Sequence, residues 1–152
     1  MAHTTSTRIR VLVVDDSEDY LEAVSHLLAT FACIGTVDRV LSSSEALARL
    51  ATCPPDLMLV DVAMPGVNGF DLTRTIKARP HPARVIIVTL YDTPTYREAA
   101  KAAGADAFLG KSQLGEGLQR TIEQIFPNMC AATAAGTKQT DIHVHRREQR
   151  WQ

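Results

Sequence analysis

Short apolar runs closed by a polar residue recur along the chain. Ile9 to Val14 is β-branched and apolar apart from Arg10, and it runs into Asp15-Asp16. Leu57 to Val60 ends in Asp61, Val85 to Val88 ends in Thr89, and Ala107-Phe108-Leu109 stops just short of Lys111. Such runs predict strands buried on both faces, as in a parallel sheet. Gly35 to Leu41 predicts one more strand, less apolar than the others. Between the runs the spacing becomes helical. Tyr20, Val24, Leu27 and Leu28 mark a first helix after Ser17, with Glu18 and Asp19 at the end where a helix dipole favours acids. Ser42-Ser43-Ser44-Glu45 fits a capping box for a second helix through Ala46, Leu47 and Leu50, which Cys53-Pro54-Pro55 stops. Phe70 to Ala78 predicts a third helix, with Phe70, Leu72, Thr73 and Ile76 on its buried side. Thr93-Pro94 supplies an N-cap and a first-turn Pro for an Ala-rich fourth helix that Gly104 ends. Leu114, Leu118, Ile122 and Ile125 stripe a fifth, closed by Pro127.

Five strands alternating with five helices through short connections predict an α/β fold, a doubly wound (βα)5 parallel sheet. Right-handed crossovers give the flavodoxin-like order 2-1-3-4-5. Residues 1–8 read as a flexible N-terminus, 9–126 as the folded domain, and 127–152 as a flexible tail, small at Ala131 to Thr137 and basic beyond His143. At 152 residues and 45% hydrophobic, the chain can bury one substantial core. A net charge of −1 argues against a general binder of nucleic acid or anionic membrane. No apolar run approaches the roughly 20 residues of a membrane span. Met1 to Arg8 lacks the apolar segment of a signal peptide. Cys33, Cys53 and Cys130 are odd in number and form no CxxC pair, against a disulfide framework or a zinc site. A reduced, cytoplasmic location is expected.

In a parallel sheet the carboxyl ends of all strands share one edge, where open α/β folds bind ligands. That edge would collect Asp15 and Asp16 from the first strand, Asp61 from the third, Thr89 from the fourth and Lys111 after the fifth. Three clustered carboxylates repel one another unless a cation or a proton relieves them. Oxygen ligands without His or Cys suit Mg²⁺ or Mn²⁺. A metal, an ammonium and a hydroxyl around one carboxylate make a pocket for a tetrahedral dianion. The chemistry implied is attack by Asp61 on a phosphoryl group.

These residues carry a family resemblance. Asp15-Asp16, the stretch Leu59-Val60-Asp61-Val62-Ala63-Met64-Pro65-Gly66 with Asn68-Gly69, Thr89, and Phe108-Leu109-Gly110-Lys111 resemble the receiver domain of two-component response regulators. In style they are nearest the receivers of helix-turn-helix transcription regulators, and the likeness covers roughly Arg8 to Phe126. The resemblance implies that Asp61 accepts the phosphoryl group, that Asp16 ligates Mg²⁺ directly, and that Asp15 acts through water or by its charge. It further implies that the Ala63 carbonyl faces the metal and that Lys111 pairs with the phosphoryl oxygens. Thr89 would bond the phosphate and relay its presence, and Phe108 would be a switch aromatic that turns inward. The implied partners are a sensor histidine kinase or phosphotransfer protein, and a downstream protein or second copy reading the surface of helix four, strand five and helix five. The implied module catalyses only its own phosphorylation and dephosphorylation.

The sequence departs from the family at Ser112, where a Pro usually follows the Lys through a cis bond. A cis bond before Ser costs about 3–4 kcal/mol, against about 0.5–1 before Pro. A trans bond with Lys111 approaching differently, or a strained cis bond, is expected, and Ser112 is a candidate cap for the last helix. Ala63, two positions past Asp61, carries no polar group to hold an attacking water, and Tyr91, two past Thr89, is bulky, so a shielded and slowly lost phosphoryl group is expected. An Asp-nucleophile metal-dependent phosphatase would need its nucleophile on the first strand with a second acid two positions on, which Asp15-Asp16-Ser17 lacks. A flavin or nucleotide site would need a Gly-, Ser- or Thr-rich first loop, whereas Asp16-Ser17-Glu18-Asp19 repels phosphate. The 26 residues from Pro127 to Gln152 are fewer than a helix-turn-helix domain needs, so no DNA-binding domain is expected in this chain. It reads as a stand-alone receiver, a phosphorylation-independent interaction module, or a fragment of a longer regulator. His143-Val144-His145 and Arg146-Arg147 read as a solvated tail.

Overall fold

The computed structural model describes residues 8–136, with side chains to residue 131. Five parallel strands form one sheet in the order β2-β1-β3-β4-β5. They are β1 (Ile9–Val14), β2 (Ile34–Val40), β3 (Leu57–Asp61), β4 (Arg84–Thr89) and β5 (Ala107–Gly110). The helices between them are α1 (Glu18–Ala29), α2 (Ser43–Thr52), α3 (Gly69–Lys77), α4 (Pro94–Ala103) and α5 (Leu114–Ile125). This is the doubly wound fold and strand order that the alternation of runs predicts.

The unbroken apolar runs have a simple cause: successive side chains point to opposite faces, and both faces are covered. Val11, Val13, Leu57, Leu59, Ile86, Val88 and Leu109 meet Leu21, Val24 and Leu28 of α1 and Leu114, Leu118 and Ile122 of α5. Leu12, Val14, Met58, Val60, Val85, Ile87 and Phe108 meet Ala46 and Leu50 of α2, Leu72 and Ile76 of α3 and Ala100 of α4. Burying one such Leu or Ile contributes about 1.5–3 kcal/mol.

Helix starts obey local chemistry. The side chains of Ser17, Ser42, Asn68 and Thr93 accept the N–H of Tyr20 (3.2 Å), Glu45 (3.2 Å), Asp71 (2.9 Å) and Tyr96 (3.1 Å). Each such cap is worth about 1 kcal/mol, and each comes after the carboxyl end of a strand, so four helix amino ends ring that edge. Glu45 completes its box one residue early, accepting the N–H of Leu41 at 3.0 Å. Gly104, with φ of 95°, ends α4 in the left-handed conformation that glycine adopts without penalty. At the opposite edge the Asp106 carboxylate accepts Lys77 Nζ at 2.9 Å, Val85 N–H at 2.8 Å and Arg84 Nη1 at 3.3 Å.

Four details differ from the sequence expectation. β2 lies one residue earlier than Gly35–Leu41, and Phe70 is only half-buried on α3. Ser112 does not cap the last helix: Lys111–Gln113 form a 3-10 turn in which Gln113 Oε1 accepts the Gly110 N–H at 3.2 Å, and α5 starts at Leu114. The tail expected from residue 127 begins with a further helix, α6 (Pro127–Gly136). Proline in a first turn lacks only a donor that would be unpaired there anyway, and the alanines after it have the highest helix propensity. Met129 and Cys130 of α6 pack on the core under α1 and α5. Residues 1–7 and 137–152, including His143 and His145, lie outside the described residues. Among the described residues no helix is long and apolar enough to cross a membrane.

Candidate functional site

β1 lies between β2 and β3, with Val14 opposite both Val40 and Val60. The two residues that leave β1 therefore emerge beside the end of β3. Asp15 is 1% exposed and Asp61 is 7% exposed, while Asp16 is open to solvent. Carboxylate oxygens of all three lie within 4.8 Å of one another. Asp15 Oδ1 accepts the N–H of Ser17 at 2.9 Å, which fixes its rotamer as the chain turns into α1.

Asp61 bears the cost of this crowding. Burial, then the charge of Asp15 and more weakly that of Asp16, raise its carboxyl from 3.8 to about 6. Lys111 and a hydrogen bond from the Ala63 backbone pull the other way without restoring the ordinary value. At neutral pH Asp61 is thus ionised but held at elevated free energy, a condition that a divalent cation would relieve.

Lys111 reaches the site across a trans bond to Ser112, as no described peptide bond is cis. Its Nζ lies 2.8 Å from Asp15 Oδ2 and 3.9 Å from Asp61 Oδ1. The family's usual Pro is therefore not needed for the ammonium to arrive. Thr89 is fully buried, on the strand that pairs with β3, and its hydroxyl accepts the N–H of Tyr91 at 3.2 Å. Phe108 is already inside: its side chain is 3% exposed and packs in the core under α2, α3 and α4, with the Arg97 guanidinium 4.8 Å from its ring centroid. Phe108 thus lies inward in this structure. Arg97 also holds Asp92 through two contacts, at 2.7 and 3.2 Å, which keeps that carboxyl below its ordinary range.

Two contributors escape a reading of the sequence. A Cβ on Gly69 would overlap the Asp61 carbonyl and lie 2.8 Å from Val62 Cα, so the β3–α3 loop closes only over glycine. Tyr20 carries Lys111 Nζ 3.9 Å from its ring centroid. Gly69 is visible in the motif but without a reason, and Tyr20 is indistinguishable in sequence from an ordinary core position of α1.

The family model of the response regulator receiver domain matches residues 11–123. The chain belongs to that family. This receiver domain is 33% identical over 118 residues to the response regulator GacA of Pseudomonas viridiflava, covering 77% of this chain and 53% of that protein. It is 30% identical over 117 residues to the DNA-binding transcriptional activator DevR/DosR of Mycobacterium tuberculosis, covering 77% of this chain and 54% of that one. Among solved structures, a LuxR-family two-component response regulator from Aurantimonas sp. SI85-9A1 superposes with a TM-score of 0.74 at 25% identity, covering 85% of this chain and 96% of that chain. The receiver domain spans about half the length of the GacA and DevR/DosR regulators it matches.

Proposed function

We propose that this receiver takes a phosphoryl group onto Asp61 from a phosphohistidine of a sensor kinase or phosphotransfer protein, or from a small acyl phosphate. The observation that carries this reading is the ionised, strained Asp61 carboxylate with two further acids within 4.8 Å and an ammonium at 3.9 Å. An Asp61 oxygen attacks phosphorus, the donor's P–N or P–O bond breaks, and the electron pair leaves with the donor. Lys111 shifts from Asp15 toward the new phosphoryl oxygens, and Thr89 exchanges its bond with Tyr91 for one to the phosphate.

The donor set fits a hard divalent cation, all oxygen and partly buried. Asp15, Asp16, Asp61 and the Ala63 backbone carbonyl would hold Mg²⁺, or Mn²⁺ in its place. A bound ion would neutralise the acids and the charge gathering on the phosphoryl oxygens.

The new charge biases a pre-existing equilibrium of the β4–α4 loop, which Thr89 leads into, and so the surface of α4, β5 and α5. The readers are a downstream protein or a second copy of the chain. Val67, Leu90 and Tyr91, exposed apolar side chains after β3 and β4, support docking of a protein donor over the site. The module turns over only its own phosphoryl group, and it works where two-component partners are found, in the cytoplasm.

The test uses Mg²⁺ and acetyl phosphate, followed by intact mass. One acid-stable, base-labile phosphoryl adduct is expected, absent in EDTA and in Asp61→Asn. An adduct that persists in Asp61→Asn would overturn the assignment, and continuous phosphate release with turnover would mean a phosphatase instead.

A further inference from the structure

Lysine is a flexible, strongly hydrated point charge, and here no proline stiffens the chain beyond it. Lys111 opens a short 3-10 turn, and the groups that hold its ammonium lie far away in sequence. One contact is the Asp15 carboxylate at 2.8 Å. Apart from Asp61 itself, whose Oδ1 lies 3.9 Å away, the other is the face of Tyr20, with Nζ 3.9 Å from the ring centroid, close enough for a cation–π contact. Tyr20 is itself fixed. Its backbone N–H is tied to the Ser17 cap at 3.2 Å, and its ring packs on the core under α1 and α5. Its hydroxyl is buried without a hydrogen-bond partner, so the phenol is retained there for no polar contact among the described residues. Burial and the nearby charges of Asp15 and Asp61 hold that phenol neutral.

We infer that Tyr20 is a positioning residue for phosphoryl transfer: its ring is the seat on which the Lys111 ammonium moves between Asp15 and the phosphoryl group on Asp61. This rests on the reading of Asp61 as phosphoacceptor. The two ammonium contacts behave differently during transfer. The bond to Asp15 is directional and must be given up when Lys111 turns to the phosphoryl oxygens. The ring face attracts a cation over a broad area, so it holds the ammonium in both positions and keeps the lysine stem out of solvent. The ring thereby supplies the constraint that the missing proline would have given the chain.

The test compares Tyr20→Phe and Tyr20→Leu in the full chain, with ¹³C-labelled lysine. In the parent protein the Lys111 methylene protons nearest Nζ, assigned by their loss in Lys111→Arg, should resonate upfield through the ring current of Tyr20. Tyr20→Phe should keep that shift, melt no lower than the parent, and accept phosphate from acetyl phosphate within about twofold of the parent rate. Tyr20→Leu should lose the shift and slow the transfer roughly 3- to 30-fold, the range that a cation–π contact spans. No upfield shift in the parent would overturn the inference whether or not the Leu variant folds. So would Tyr20→Leu phosphorylated at the parent rate, or Tyr20→Phe falling as far as Tyr20→Leu. If no form takes up phosphate at Asp61, the phosphoacceptor reading fails. The ring-current comparison then still decides whether the seat exists.

Discussion

Removing the Asp61 carboxylate should make this protein more stable at neutral pH, although it removes an ionic contact. The ordinary carboxyl value is 3.8 and the folded value is about 6. Below pH 3.8 both folded and unfolded chains are protonated at this position, and the group contributes nothing to the balance. As pH rises toward 6 the unfolded chain gives up its proton first while the folded protein retains it, so stability falls across that window and stays lowered above it. At 1.36 kcal/mol per pKa unit the loss at neutral pH is about 3 kcal/mol. The contributions of Lys111 and the Ala63 N–H are already contained in the value of about 6. In Asp61→Asn, Lys111 keeps its 2.8 Å bond to Asp15, so no buried charge is stranded. The variant should therefore melt roughly 6–12 °C higher than the parent at pH 7.5 in EDTA, at about 2–4 °C per kcal/mol for a domain of this size. Near pH 4 the difference should shrink below about 1 kcal/mol. Thermal and urea unfolding of both forms, buffered at the two pH values, measure it. A variant no more stable than the parent at pH 7.5, or a gain of equal size at pH 4, would refute the account of Asp61. Millimolar Mg²⁺ should narrow the neutral-pH gap by stabilising the parent selectively, because a ligand that binds only the folded state adds to its stability.

Gly69→Ala should cost about 1–3 kcal/mol by urea titration and weaken Mg²⁺ binding, since the added methyl meets the backbone of Asp61 and Val62, which cannot yield as a side chain could. Asp106→Ala should cost about 2–3 kcal/mol, because it leaves the Val85 N–H without its acceptor and the half-buried Lys77 ammonium without its counter-charge, with the Ala83 carbonyl still accepting from it at 3.0 Å. The urea midpoint should fall with an unchanged slope, and phosphorylation should be unaffected, as this brace lies at the far edge of the sheet. Ala63→Asn with Tyr91→Glu should speed loss of the phosphoryl group, by giving an attacking water a hydrogen-bonding host beside Asp61 and removing the half-exposed ring two positions past Thr89. The half-life of the adduct, tracked by intact mass, measures this, and an unchanged rate would remove the shielding idea.

Most of the fold is legible because its determinants are local. An apolar run closed by Asp15 or Asp61 needs only its own residues to declare a buried strand and a polar end. Ser42 with Glu45, and Thr93 with Pro94, declare helix starts within four positions. Locality also explains the error at residue 127. Pro127 looks like punctuation, yet proline is equally at ease in a first turn, and the residues after it decide between the two. Ala131 and its neighbours favour helix, and Met129 and Cys130 find apolar partners that belong to distant elements. The gathering of Asp15, Asp16 and Asp61 at one edge is legible too, since strand direction alone brings strand ends together.

Hidden from the sequence is how side chains from different elements settle against one another. Phe108 is expected to turn inward on a signal, but its resting place is decided by the apolar layer of α2, α3 and α4 and by the guanidinium of Arg97 above it. Lys111 makes the same point more sharply. Judged on its neighbours alone, Ser112 in place of Pro weakens the case for a lysine that reaches the phosphoryl group. In three dimensions the ammonium is held by Asp15 and by Tyr20, 96 and 91 positions away in the chain, and both contacts form with Ser112 as the next residue. A departure from a family's local motif therefore counts against function only if the motif acts locally. Here a carboxylate and a ring from other elements lie against the ammonium although no proline follows it.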